Sequence, residues 1–434
     1  MILRLTVLLL ALIALPAQAA PDIQHWTTDN GLRVYYVEAP ELPMVDLRLV
    51  FDAGSARDGG RPGLARMTNA LLASGAGDWD ADAIAERFES VGAQYGAGAA
   101  RDMAWVSLRS LNDLDWFEPA LATFLAVVQA PRFPAADFER TRRQAFVALS
   151  RQAQDPGEIA SKALYEAVYG DHPYAHPPLG TRESIEGLAR GDLVAFHARH
   201  YVARNGVLAI VGDLDRPAAE ALADRVSAGL AASEPAPALP PVPTLDEART
   251  LRIPFPSEQA HVYLGAPGMS RGDADYFALY FGNHMLGGSG FTSRLTKAVR
   301  VERGLSYSVY SYFLPMAQQG PFLAGLQTRV DQAEEAVEVA RETLATFVAQ
   351  GPAAEEYRAS LANITGGFPL RVASNSDIVQ YLAMIGFYDL PLDYLDRFTD
   401  RIEAVTVADI RDAFARRLDP ERMITVIVGG PEAE

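Results

Sequence analysis

IEGLARGDLVAFHARHYVARNGVLAIVGD, residues 185–213, is echoed 217 residues later by IEAVTVADIRDAFARRLDPERMITVIVGG, residues 402–430. In both, an isoleucine stands seven residues before an aspartate, Asp192 or Asp409, and a glycine, Gly212 or Gly429, follows that aspartate after twenty. Each aspartate sits where a helix N-cap accepts backbone N–H bonds. An amphipathic helix follows, then a β-branched apolar strand over 207–211 or 424–428. A weaker echo links strands at 45–51 and 260–264, each leading through a Gly-containing turn into a helix. One supersecondary unit is therefore expected twice.

Between the copies lies AASEPAPALPPVPTLD, residues 231–246, whose prolines and small residues suit an extended connection. The resulting division is a leader at 1–19, a first domain at 20–230, a linker at 231–247 and a second domain at 248–434. Short strands returning between long helices predict an α+β fold of two homologous domains, each a mixed sheet with helices on one face. Duplication across a linker predicts a clamshell with its ligand cavity between the halves.

Composition narrows the function. Arg4, the apolar run 5–15 and Ala17-Gln18-Ala19 read as a secretory signal, so the mature chain is expected in a periplasm. Later segments lack a run of about 18 apolar residues, and no membrane span is expected in the mature chain. The chain has no cysteine, which excludes disulfides and thiol chemistry. Its formal charge of -17 argues against nucleic acid and anionic membranes as partners.

Other chemistry-bearing residues read as structural. His172 and His176 are flanked by Pro173 and Pro177, which break the helix needed for a shared metal-binding face. His197 and His200 stand three apart with only Asp192 nearby, and His284 lies on an otherwise apolar helix, as a core or interface residue. Ser289 in Gly287-Gly288-Ser289-Gly290 lacks the spacing of a nucleophile elbow.

The blocks GSARDGGRPGLARMTNALLASGAG, YGDHPYAHPPLGTRESI, FHARHYVARNGVLAIVGDLD, FGNHMLGGSGFTSRLTKAVRVERGLSYSV and ITVIVGG occur in an order that spans the chain. In that order they resemble the pitrilysin/insulinase-type (inverzincin) zinc peptidases, in the branch of mitochondrial processing peptidase and its two-subunit bacterial relatives. Active members carry HxxEH, two zinc ligands around a general base, with a third ligand, a glutamate, further along. Anchored on GLA, those positions hold Arg66, Asn69 and Ala70, and the third ligand falls at Val147, or at Ala148 if the register slips by one. None can ligate zinc or take a proton from water.

The resemblance implies a different part for Arg300 and Tyr307, seven residues apart, which match a pair that reaches toward substrate in active members and their partner subunits. A permanent cation and a phenol suit a peptide carbonyl and its developing oxyanion. Taken alone, the two read as a solvated helix residue and a strand aromatic. Gly287, Gly288 and Gly290 match the family's gating loop, or simply end the preceding helix. GAQYGAGAA, residues 92–100, matches a cavity edge strand onto which substrate adds, or forms a plain hairpin. The resemblance implies a non-catalytic subunit without metal, paired with an HxxEH-bearing homologue that holds zinc, acting on extended peptides. The alternative is a non-proteolytic binding or assembly scaffold of the same fold.

Overall fold

The computed structural model describes residues 21–431; the expected leader lies outside them. The first half supplies β1 (Gln24–Thr27), β2 (Arg33–Glu38), β3 (Met44–Phe51), a small hairpin of β4 (Gly75–Ala76) and β5 (Trp79–Asp80), then β6 (Gln94–Ala99), β7 (Ala104–Leu111) and β8 (Gly206–Gly212). The second supplies β9 (Arg249–Ile253), β10 (Gln259–Pro267), β11 (Val309–Phe313), β12 (Pro321–Arg329) and β13 (Ile424–Val428). The main sheets are ordered β1-β2-β8-β3-β7-β6 and β11-β12-β10-β13-β9. With β1 set aside, β2-β8-β3-β7-β6 corresponds strand for strand to β9-β13-β10-β12-β11. Each sheet has one parallel pair, β2 with β8 and β13 with β9, among antiparallel neighbours. The duplication thus extends to complete, mixed-sheet topologies.

Side-chain alternation directs each strand's two faces into different cores. Val45, Leu47, Leu49 and Phe51 of β3 face helices of their own half. Val50, with Val207, Ala209 and Val211 of β8, faces the other way and joins the core of the second half. There the helix Asn375–Phe387 crosses over and packs on β8, β3 and β2. Gly386 permits the approach: a Cβ there would stand 2.5 Å from both Tyr35 and Val207.

The reciprocal helix, Pro156–Tyr169, crosses from the first half onto β10 and β13. Its Ala160, Leu164 and Val168 bury against Leu323, Ile424, Val426 and Val428. Here the sheet makes room, since a Cβ on Gly265 would stand 2.8 Å from Leu164. An offset of 217 carries this helix onto residues 373–386, so the exchange obeys the same internal symmetry. Each fully buried leucine at these contacts, Leu164 or Leu382, contributes about 1.5–3 kcal/mol.

Three expectations need correction. The helices are not confined to one face, because each sheet's second face is covered by the helix lent from the other half. The two-domain clamshell plan holds, with a helix from each half packed against the other half's sheet. A cavity of about 750 Å³ is lined almost wholly by the first half, with Ile253 the second half's contribution. Finally, Asp192 and Asp409 are not N-caps. They stand at the third helical position and accept the backbone N–H of the true caps, Ala189 and Thr406, each at 2.8 Å.

The Pro-rich connection has no regular structure, but it is tied to both halves. Ala236 N–H donates to Asn205, Arg57 donates to Pro237 O, and Gln318 donates to Leu239 O. Leu239, Val242 and Leu245 pack on the core around the Pro156–Tyr169 helix. Segments without secondary structure are held here by side-chain donors and apolar contact.

Candidate functional site

The helix Leu64–Ala70 begins at Gly63, whose φ of 95° is left-handed. Asp58 caps it from below, its two oxygens accepting Gly63 N–H and Ala65 N–H, each at 2.8 Å. Burial pushes this carboxyl up to about 7, against the lowering effect of its two backbone bonds. The helix lies beside β6 and touches the long helix Ala135–Gln152, which carries Val147.

Arg66 and Ala70 point outward from the Leu64–Ala70 helix, and Val147 is exposed on the neighbouring one. Asn69 turns the other way: buried, it donates to Trp105 O at 3.1 Å and Tyr201 Oη at 3.3 Å, pinning the helix to β7. A zinc ion would therefore meet a guanidinium, a methyl and an isopropyl group, with the one amide turned away. These residues do not fit the metal. Among the described residues, no three histidine or carboxylate side chains converge into a metal-binding group.

Arg300 and Tyr307 do come together. Arg300 lies on a wide helical turn, Thr296–Val301, and Tyr307 in the connection to β11. The guanidinium sits 4.6 Å from the Tyr307 ring centroid and 4.8 Å from that of Phe291. Tyr307 is 82% exposed and Phe291 75%. A cation held between two solvent-facing rings presents donors, a phenol and apolar area on one surface. Sequence reasoning missed Phe291, although it stands in the quoted GFTSRL; nothing in the spacing shows that the turn folds back over Arg300.

The glycine run is less open than a gating loop requires. The helix Tyr276–Asn283 continues through His284–Gly288, and Gly287 is packed on β11, where a Cβ would stand 2.2 Å from Ser311 Oγ. Gly288 lies against Asn283, and only Gly290, with φ +61° and open space around it, needs backbone freedom. Thus two of the three glycines serve close packing.

β6 ends its sheet, paired only with β7, so residues 94–99 form both a hairpin arm and a sheet edge. Gly98 lets the Trp105 ring lie across the strand, since a Cβ there would be 2.3 Å from it.

Three of the histidines singled out above, His172, His197 and His284, are bonded within the fold. His172 Nδ1 accepts Tyr174 N–H at 3.1 Å while Nε2 meets Pro240 O at 3.0 Å, which fixes the Nε2–H tautomer. His197 Nε2 bonds Val128 O at 2.9 Å, and His284 bonds Ser360 at 2.9 Å and Asn363 at 3.2 Å. Burial holds His200 down to about 4. Among the described residues, no helix is long and apolar enough to cross a membrane.

Similarity to known proteins follows the same plan. The family profile "Insulinase (Peptidase family M16)" matches residues 33–182, and "Peptidase M16 inactive domain" matches 187–364. The crystal structure of a peptidase M16 inactive domain from Pseudomonas fluorescens is 42% identical, with a TM-score of 0.91 over 95% of this chain and 98% of that one. A protein from Helicobacter pylori named a non-peptidase homolog is 26% identical over 87% of each chain. An uncharacterized zinc protease of Mycobacterium leprae is 26% identical, covering 95% of this chain and 93% of its own.

Proposed function

The chain belongs to the insulinase-like M16 peptidase family, and from that membership we propose that it is the non-catalytic, substrate-binding subunit of a heteromeric periplasmic zinc metalloendopeptidase. A homologous HxxEH-bearing partner supplies zinc, the attacking water and the glutamate base. This chain supplies Arg300 and Tyr307, which donate hydrogen bonds to the peptide backbone and to the oxyanion that forms as water attacks. The substrate is an extended peptide or unfolded segment, and β6 offers an edge on which it can add as a strand. Gly290 gives the adjoining turn its freedom to admit substrate.

The observation that carries the reading is asymmetry: groups at the metal positions are unfit for zinc, while a half-buried Arg300 is assembled against a solvent-facing Tyr307. Exposed Phe291, Val301 and Tyr307 also suit a protein interface, which favours the second reading, a non-proteolytic assembly scaffold.

Co-expression with an HxxEH-bearing homologue from the same genome separates the two. We expect a stable heteromer that cleaves a quenched fluorescent peptide, with kcat/KM reduced about 100-fold by Tyr307→Phe or Arg300→Ala. Complex formation with unaltered cleavage in both variants would remove the substrate-facing role. A heteromer that never cleaves would favour the scaffold.

A further inference from the structure

A cavity of about 750 Å³ opens between the end of the Ala135–Gln152 helix, the Pro156–Tyr169 helix and residues 175–183. Arg101 reaches it from the turn between β6 and β7. Its guanidinium lies 3.5 Å from the centroid of the Tyr165 ring, and its Nε donates to Tyr174 O at 3.1 Å. That is the side chain's one hydrogen bond among the described residues. No described carboxylate lies within 4.0 Å of it, although Asp102 is its chain neighbour, committed to other donors. Among the described residues both terminal amino groups therefore lack a protein acceptor, on a side chain that lines the cavity.

Two more arginines line the same cavity, Arg66 on the Leu64–Ala70 helix and Arg182, which lies 5.0 Å from the Phe146 ring centroid. Among the described residues neither forms an ion pair. The cavity's acidic groups are more fully engaged. Glu166 pairs with Lys162 at 3.8 Å, Glu158 accepts Gln152 Nε2–H at 3.1 Å, and Glu183 is held by Thr181 and the start of its own helix. In a chain with 55 acidic and 38 Lys or Arg residues, cations are the scarcer charge, yet three arginines stay unpaired around one cavity. A guanidinium packed against an aromatic ring with its fork unsatisfied costs solvation that folding alone does not recover.

Resting on the peptide-binding reading above, we infer that this cavity binds a carboxylate of the bound peptide, with the Arg101 fork as its partner and Arg66 and Arg182 at its rim. A planar carboxylate accepts two parallel N–H bonds from one guanidinium, which neither an amide nor a hydroxyl reproduces. Two sources present this group, a peptide's C-terminal carboxylate and an aspartate or glutamate side chain. On this view, Arg66 replaces a metal ligand with an anion anchor at the same place.

The test is fluorescence anisotropy of the purified chain with four labelled peptides of one alanine-rich sequence: free C-terminus, amidated C-terminus, and amidated forms with a central Glu or Gln. We expect an acid-bearing peptide to bind at least about tenfold more tightly than its neutral counterpart. The pair that shows the difference identifies the source. Arg66→Gln, at an exposed site without partners, should abolish most of that preference, as should Arg101→Gln where circular dichroism shows it folded. Equal binding of acid and neutral peptides, or an undiminished preference in both variants, overturns the inference. If no peptide binds, the peptide-binding reading fails separately. The cavity is then decided by thermal denaturation with N-acetylglycine against N-acetylglycinamide: stabilisation by the acid alone, lost in Arg66→Gln, sustains it, and none overturns it.

Discussion

Asp102 is the buried carboxylate on which the two halves meet, and replacing it tests whether they fold as one unit. Only 4% exposed, it accepts Tyr174 Oη–H at 2.5 Å through Oδ1, and Ala317 N–H at 2.7 Å and Tyr388 Oη–H at 2.9 Å through Oδ2. Tyr174 belongs to the first half, whereas Ala317 and Tyr388 belong to the second, Tyr388 closing the helix that crosses over. Asp102→Asn keeps the volume and removes one acceptor. With the amide oxygen toward Ala317 and Tyr388, the new NH₂ faces Tyr174 Oη, which already accepts Gln318 N–H at 3.0 Å. The tyrosine's own proton is then left without its partner. Losing one charge-assisted bond costs about 1.5–3 kcal/mol, and weakening the other two to neutral bonds adds about 1 kcal/mol. Relief from burying a charge offsets part, leaving an expected loss of about 2–4 kcal/mol. Urea denaturation followed by tryptophan fluorescence and near-ultraviolet circular dichroism measures it. The shared core predicts coincident transitions by both probes, moving together to lower urea. A change below about 0.5 kcal/mol, or separate transitions in the wild type, would refute the reasoning.

Other consequences are simpler to check. Asp58 has a folded-state pKa of about 7, above its unfolded value near 4, so the stability it contributes is full in acid and fades as pH rises through about 7. Asp58→Asn should flatten that part of the urea midpoint's pH profile between about pH 4 and 7. His200 works oppositely: its folded pKa of about 4 lies below the unfolded value near 6.5, so acidification from about pH 6.5 to 4 favours unfolding, and His200→Gln should lessen that loss. Gly287→Ala places a Cβ 2.5 Å from Ser311 N and should cost about 1–3 kcal/mol, whereas Gly290→Ala meets no neighbour and should cost about 1–2 kcal/mol from its left-handed backbone alone. Crystal structures should show the β11 contact displaced in the first variant and unchanged in the second.

The chain's own order of residues already displayed the duplication, because helices and strands are written in local periodicity. It also showed that Arg66, Ala70 and Val147, the residues that the resemblance sets at the zinc positions, lack ligand atoms in any fold. Asn69 is different. Its type excluded a base, but only the packing shows it turned inward to Trp105 and Tyr201. The aspartates 192 and 409 were placed correctly as equivalents and misplaced by one turn, because either end of a capping box satisfies the same pattern.

What tertiary structure alone decided is which faces meet. The helices Pro156–Tyr169 and Asn375–Phe387 carry apolar stripes, but a stripe does not say which sheet will bury it, and each is buried by the other half. Phe291 over Arg300, Asp102 between the halves and Arg101 in the first half's cavity likewise depend on contacts between segments far apart in the chain. Local spacing encodes elements and the chemistry each residue can perform. Partnership among distant residues is settled only when burial forces each apolar face and each buried charge to find a complement.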